Sequence, residues 1–362
     1  MTYPLFPGPV ASRRALFSSA GNAAAVLATA SLTLSACSSG PASSVSDATS
    51  SGSSAQFPVT IKHAYGETTI EKLPTRIATV SWVNDDVAIA LGVVPVGIPK
   101  NEWGGNGKGS TPWKDAALEK LGAGIGSANA PVQYSEADGV NFTEIAKVSP
   151  DVILAAYSGL TEEDYRKLNE IAPVVAHPGA GYDTSWQDST TIIGKALGKE
   201  AEAAKLVSDT EATIKDKVAR FPQIQGKSFI YGNLEPAKGD GVNIYTANDN
   251  RPRFLTEIGM TLSPVVTDNT KDSSEFYIPW SPEKANELDS DIFVTWVPDN
   301  STADAIKADP LLGQIPAIKN GALVADADNT LTLSISASSP LSLPWSLDTF
   351  LPQLAAAAHA VK

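Results

Sequence analysis

From residue 57 onward, short runs of consecutive apolar residues alternate with longer stretches in which apolar positions recur every three or four residues. The runs at 77–80, 93–98, 152–156 and 174–176 have the pattern of strands buried on both faces. Segments 86–91, 141–147 and 161–171 carry the helical period between them. Thr161-Glu162-Glu163-Asp164 is a helix start, with an N-cap hydroxyl and acids in the positively polarised first turn. After residue 225 the alternation repeats, with strands expected at 228–231, 291–296 and 322–325. Strand and helix in alternation predict an α/β fold, and the repetition predicts two lobes.

Between the two patterns, residues 200–221 contain neither Pro nor Gly and place Leu206, Val207, Ile214, Val218 and Phe221 near helical spacing among Glu, Lys and Asp. One continuous helix is expected, of roughly 30 Å at about 1.5 Å per residue. Its place at the join makes it a strut between lobes, with an ordinary crossover helix as the alternative. The expected organisation is 57–184 for the first lobe, 185–221 for the helical connection and 222–362 for the second lobe.

The N-terminus is of another kind. Arg13-Arg14 precede an apolar stretch at 23–34 that ends in Leu34-Ser35-Ala36-Cys37. This reads as an export signal over 1–36, its apolar core of about 12 residues falling short of the ~20 that span a bilayer. The paired arginines leave the general secretory and twin-arginine routes both open. Leu-Ser-Ala-Cys resembles a bacterial lipobox, making Cys37 the expected lipid acceptor, and the Ser-rich segment 37–56 the flexible tether behind it. The expected location is extracytoplasmic, lipid-anchored to the bacterial membrane.

Composition narrows the function. The 362 residues carry a net charge of −13, and the export segment holds two arginines and no acid, so its removal leaves the remainder more acidic still. Nucleic acid is thereby disfavoured as a partner. One Cys and three His leave too few ligands for the usual zinc clusters, so no metal site of the protein's own is expected. No Gly-x-Ser-x-Gly elbow, His-Glu-x-x-His helix or Walker-type phosphate loop occurs. The glycine-rich 104–109 and 122–126 stretches lack the strand-to-helix setting of nucleotide loops and read as ordinary loops.

The segment from His63 to Ile70, Leu73-Pro74-Thr75-Arg76-Ile77 and Ala90-Leu91-Gly92-Val93-Val94-Pro95-Val96-Gly97 together resemble the opening of iron–siderophore substrate-binding lipoproteins of ABC importers. The runs at 145–154, 168–175 and 194–198 and Asp309-Pro310-Leu311 extend the resemblance over nearly all of 57–352. It implies two Rossmann-like lobes with parallel sheets, joined by a long rigid helix. A ferric siderophore would sit in the cleft between them, with an ABC permease dimer docked across both. It also implies a monomeric binding protein that is no enzyme and needs no cofactor. Haem or cobalamin is the alternative ligand within the same fold, and a tethered cell-surface hydrolase the rival from another class.

A siderophore saturates its iron with its own oxygens, so the protein must grip the organic shell. Open α/β sheets do this with loops at the carboxyl ends of their strands. There the sequence offers Trp82, Asn84, Trp103 and Tyr157 in the first lobe, and Tyr231, Asn233, Tyr245 and Trp296 in the second. Arg251 and Arg253 are the cationic candidates, with a solvated loop or a structural ion pair as the alternative. For docking, the resemblance implies one Glu on each lobe facing permease arginines. Ser281-Pro282-Glu283 fits the second-lobe pattern. In the first lobe Thr143 occupies the expected place, and its neighbour Glu144 would point about 100° round the helix.

Overall fold

The computed structural model describes residues 57–234, 236, 242–271 and 274–361. The expected signal at 1–36, Cys37 and the tether to residue 56 lie outside these residues. Among the described residues no helix is long and apolar enough to cross a membrane.

A hairpin of β1 (Val59–His63) and β2 (Gly66–Ile70) leads into the first sheet, formed by β3 (Ile77–Thr79), β4 (Gly97–Pro99), β5 (Val132–Tyr134), β6 (Val152–Ala155) and β7 (Val174–Ala176). The sheet is wholly parallel, in the order β5-β4-β3-β6-β7. Helices α1 (Asn84–Ala90), α2 (Pro112–Lys120), α3 (Phe142–Lys147), α4 (Glu162–Asn169) and α5 (Trp186–Ala196) surround it. Ile77, Val152, Leu154 and Val175 pack with Val87, Ala88 and Ile193 on one face. Ala78, Ile153, Ala155 and Val174 pack with Ile145 and Leu168 on the other. Covering on both faces is what the unbroken apolar strands required. The run at 93–98 is the exception: its strand is confined to Gly97–Pro99, because Val93 still bonds back to Ala88 at the end of α1. Thr161 caps α4 in a reciprocal box with Asp164.

After α6 (Glu200–Val218) the chain builds the second sheet from β8 (Ser228–Leu234), β9 (Val242–Tyr245), β10 (Thr261–Leu262), β11 (Tyr277–Trp280), β12 (Ile292–Trp296) and β13 (Leu323–Asp326). This sheet is mixed. Strands β10, β8, β12 and β13 run parallel, while β9 and β11 add an antiparallel edge to the carboxyl half of β8. The expectation of parallel sheets therefore holds in full for the first lobe and for the central part of the second. Helices α7 (Asn250–Glu257), α8 (Pro264–Asn269), α9 (Asn300–Ala308), α10 (Pro316–Lys319), α11 (Asn329–Ser336) and α12 (Ser342–Ala360) complete the second lobe.

The 19-residue α6 spans about 28 Å and enters both cores. Ala203 near its start packs into the first-lobe core, and Ile214 and Val218 near its end pack into the second. Lys217 fastens that end to α12 through Asp348 at 2.5 Å and the Pro344 carbonyl at 2.9 Å. At the other end α5 and α6 meet so closely that a Cβ on Gly194 would lie 2.2 Å from the Cβ of Ala203. Gly194→Ala is therefore expected to push the helices apart and lower stability by about 1–3 kcal/mol, read from urea unfolding midpoints. Unchanged midpoints would show that the α5–α6 contact is not tight.

Candidate functional site

In the first sheet the chain fills one side through β3, β4 and β5, then crosses to β6 and β7. Loops leaving β3 and β6 diverge at this switch, where open parallel sheets form their crevices. The loop after β3 holds Ser81 at φ 61° and Val83 at φ 62°. A β-branched residue in the left-handed region costs on the order of 1–3 kcal/mol and persists only when its surroundings enforce it. Asn84 does so. Its fully buried amide donates to the carbonyls of Val80 at 2.8 Å, Trp82 at 3.0 Å and Tyr157 at 2.9 Å, and accepts from the Tyr157 N–H at 3.1 Å. Asn84, expected as a ligand contact, is thus spent on clamping the two crevice loops together.

Aromatic side chains collect around this clamp. The Tyr182 ring, on another left-handed residue, lies 5.9 Å from Trp82 and 5.6 Å from Tyr157. Trp113, near the start of α2, meets Trp345 of α12 at 5.1 Å. Trp103 meets Trp296 edge-on at 6.1 Å, and the Trp296 indole N–H donates to Asn329 at 2.7 Å. The buried Tyr157 hydroxyl donates to the Ser336 carbonyl at 3.3 Å. The backbones also approach: at Gly104 a Cβ would fall 2.7 Å from the Asn329 carbonyl and 2.8 Å from the Leu333 Cβ. Together the first-lobe loops and α11 enclose a cavity of about 10 Å³, lined by Trp82, Val83, Asp86, Trp113, Lys114 and Leu333 among others.

Beneath the aromatics lies a buried ionic cluster. The Lys114 ammonium contacts Asp85, sits 3.6 Å from Asp86 and donates to Asn101 at 2.7 Å. Asp86 also accepts from the Trp113 indole at 2.6 Å and from the Ser339 hydroxyl of the second lobe at 2.8 Å. Burial pushes the Asp86 carboxyl up to about 6 against the pull of Lys114. For Lys114 burial acts downward, and the two aspartates outweigh it and raise the ammonium above its usual value.

The two expected cationic contacts are both engaged. Arg251 is buried, donating from Nε and Nη2 to the two Asp249 oxygens at 2.7 and 2.6 Å, with its guanidinium 3.4 Å from the Tyr245 ring centroid. Arg253 crosses to the first lobe, donating to the Asp183 carbonyl at 2.5 Å and to its carboxylate. Of the other expected residues, Tyr231 and Tyr245 lie in the second-lobe core and Asn233 is buried at the end of β8. Trp82, Trp103, Tyr157 and Trp296 are brought together at the crevice. For docking, Glu283 is exposed at the first turn of the short 282–287 helix, whereas Glu144 is half-buried and paired with Lys147 at 2.5 Å. Tyr182, Trp113, Trp345 and Lys114 carry no signal in the sequence because none follows a strand end, and Glu136 carries none because β5, which it follows, is a three-residue strand without an apolar run. Among the described residues no group of three or more His, Cys, Asp or Glu side chains is arranged to hold a metal ion.

A family model described as periplasmic binding protein matches residues 77–330. The chain is 28% identical over 266 residues to the Fe(3+)-citrate-binding protein YfmC of Bacillus subtilis, covering 73% of this chain and 76% of that protein. It is 30% identical over 215 residues to the probable siderophore-binding lipoprotein YfiY of the same organism, covering 55% and 59%. Among solved structures, Streptococcus pneumoniae PiaA in complex with ferrichrome superposes with a TM-score of 0.78 at 37% identity, covering 84% of this chain and 99% of that one.

Glu136 generates a pH prediction. Its Oε2 accepts the Ser81 amide at 2.8 Å, while its Oε1 is buried without a hydrogen-bond partner. Burial, reinforced by Asp85 and Glu102 and opposed by the Ser81 amide, raises its carboxyl from 4.5 to about 7. The folded state therefore holds this proton more tightly than the unfolded state. Below the unfolded value both states are protonated and nothing is lost; stability falls as pH rises between the two values, and above the folded value a cost of roughly 3 kcal/mol is fully present. Glu136→Gln keeps the acceptor for Ser81 and removes the charge. It is expected to be more stable than the parent by about 1–3 kcal/mol near pH 8, with the gain shrinking towards pH 4, in urea unfolding. A gain that is the same at both pH values would exclude this account.

Proposed function

The chain belongs to the periplasmic binding protein family, and on that premise we propose that it is an extracytoplasmic receptor that captures a ferric siderophore and delivers it to an ABC permease. The observation that carries this reading is the aromatic crevice at the switch point of the first sheet, closed over by Trp296, Leu333 and Trp345 of the second lobe. The PiaA structure solved with ferrichrome supports it through its likeness over most of the chain.

Recognition follows from the chemistry of such a ligand. The iron's coordination is filled by the siderophore, so the protein supplies flat apolar faces and oriented dipoles and performs no covalent step. Trp82, Trp103, Tyr157 and Trp296 offer the faces. In the second lobe Tyr231, Asn233 and Tyr245 are buried, and Arg251 and Arg253 are held in ion pairs. A cavity of about 10 Å³ has room for roughly one water, whereas ligand pockets run to several hundred cubic ångströms. Loading therefore requires the lobes to part, breaking Tyr157–Ser336, Asp86–Ser339 and Arg253–Asp183 while α6 keeps its seat in both cores. Delivery uses the exposed Glu283, with Glu144 as the first-lobe counterpart, and Cys37 carries the lipid that holds the receptor near its permease.

A ferric siderophore absorbs where tryptophan emits, so saturable quenching of intrinsic fluorescence is expected on titration of the full chain. Trp82→Ala and Trp103→Ala should each weaken binding about tenfold, the loss of roughly 1.4 kcal/mol of stacking. A broad panel of ferric siderophores without saturable quenching would overturn the receptor reading. In cells, Glu283→Ala and Cys37→Ala are both expected to cut uptake with affinity unchanged, and only Cys37→Ala should shift the protein out of the membrane fraction. Normal uptake by Glu283→Ala would remove its docking role, and retention of Cys37→Ala on membranes would remove the anchor.

A further inference from the structure

Among the described residues, the cationic side chains built into the crevice each face carboxylate. Lys114 lies between Asp85 and Asp86. Arg251 is held two-pronged by Asp249, which also caps its helix. Arg253 is matched by Asp183 from the opposite lobe. Glu136 then adds a carboxylate with Asp85 and Glu102 as charged neighbours and no hydrogen-bond partner on Oε1. Among the described residues, three cations thus stand against four carboxylates, and against five above about pH 7, where Glu136 gives up its proton.

A ligand entering the crevice loses its water and must find its counter-charge in the protein. An anionic iron complex, with catecholate or carboxylate arms, would be buried against a surface whose positive charges are already compensated. Like-charge juxtaposition inside an interface is strongly unfavourable. A complex whose three hydroxamate arms cancel the ferric charge meets no such opposition, and its organic shell suits the aromatic faces. Resting on the receptor reading above, we infer that the site is selective for ferric complexes without net negative charge, tris-hydroxamates in particular, and that Asp249, by neutralising Arg251, is a determinant of this selectivity. Asp249 acts through Arg251 and so is a positioning residue.

The test titrates the purified full chain with ferrichrome, ferrioxamine B, ferric citrate and ferric enterobactin, following tryptophan quenching. The neutral and cationic hydroxamates are expected to bind at least 100-fold more tightly than the two anionic complexes. Asp249→Asn keeps a helix-capping oxygen and removes the charge that compensates Arg251. It should narrow that ratio tenfold or more by strengthening the anionic complexes, and Glu136→Gln, on the other lobe, should narrow it in the same direction. An anionic complex that binds the parent as tightly as ferrichrome overturns the inference and leaves the receptor reading standing. An unchanged ratio in a folded Asp249→Asn removes Asp249 as the determinant, and an unchanged ratio in both variants overturns the charge argument. If none of the four complexes binds, the receptor reading itself fails.

Discussion

The crevice depends on one buried amide. Asn84 takes carbonyls from the β3 exit, from Trp82 and from the β6 exit, and returns an acceptor to the Tyr157 N–H. The contacts with Val80 and Tyr157 lie where water does not reach, and each of these groups would cost about 1–3 kcal/mol if left unpaired. That sum exceeds the strain of the left-handed Val83, so the strained loop and the neighbouring strand end are fixed as one unit. Trp82 and Tyr157 project from this unit, and Tyr182 wedges against both. The aromatic faces are therefore set by the backbone rather than by mobile side-chain contacts, which limits the ordering cost that a ligand must offset.

Much of the fold was legible because burial on both sheet faces leaves an unmistakable apolar run. Strands at 152–155, 174–176 and 292–296, and the capping box of α4, follow directly from their residues. The strut followed from a stretch without Pro or Gly that changes partners halfway along. What stayed hidden was non-local. β9 lies inside the sheet but is interrupted by Asn243, and β11, the partly exposed edge, is interrupted by Pro279, so neither announces itself as an unbroken apolar run.

For the site, strand-end position was enough to point to Trp82, Tyr157 and Trp296, since the loop follows the strand in sequence. It was not enough to separate contact from support. Asn84 sits two residues beyond Trp82 with no signal that its amide turns inward. Tyr182 and Trp345 reach the crevice only through tertiary folding, one on a left-handed backbone and one on the last helix. The ionic cluster was equally hidden, because Lys114 meets Asp85 and Asp86 across nearly thirty residues of sequence. Charges in a sequence read as solvated until a structure shows them enclosed.

The contacts between the lobes and those along α6 differ in strength, and the difference fixes which yields first. Arg253 and Asp183 are partly exposed, and ion pairs so placed contribute about 0–1 kcal/mol. The Trp103–Trp296 edge contact is worth about 0.5–1.5 kcal/mol, and the Tyr157–Ser336 bond is long at 3.3 Å. Asp86 with Ser339 is the short buried bond among them, at 2.8 Å, and its carboxylate keeps Lys114 and Trp113 as partners when the lobes part. Withdrawing α6 would instead expose Ile214 and Val218, at about 1.5–3 kcal/mol for each large side chain, and would undo the Gly194–Ala203 approach as well. On the receptor reading, opening therefore proceeds at the crevice with the strut intact, since the contacts there are the weaker set.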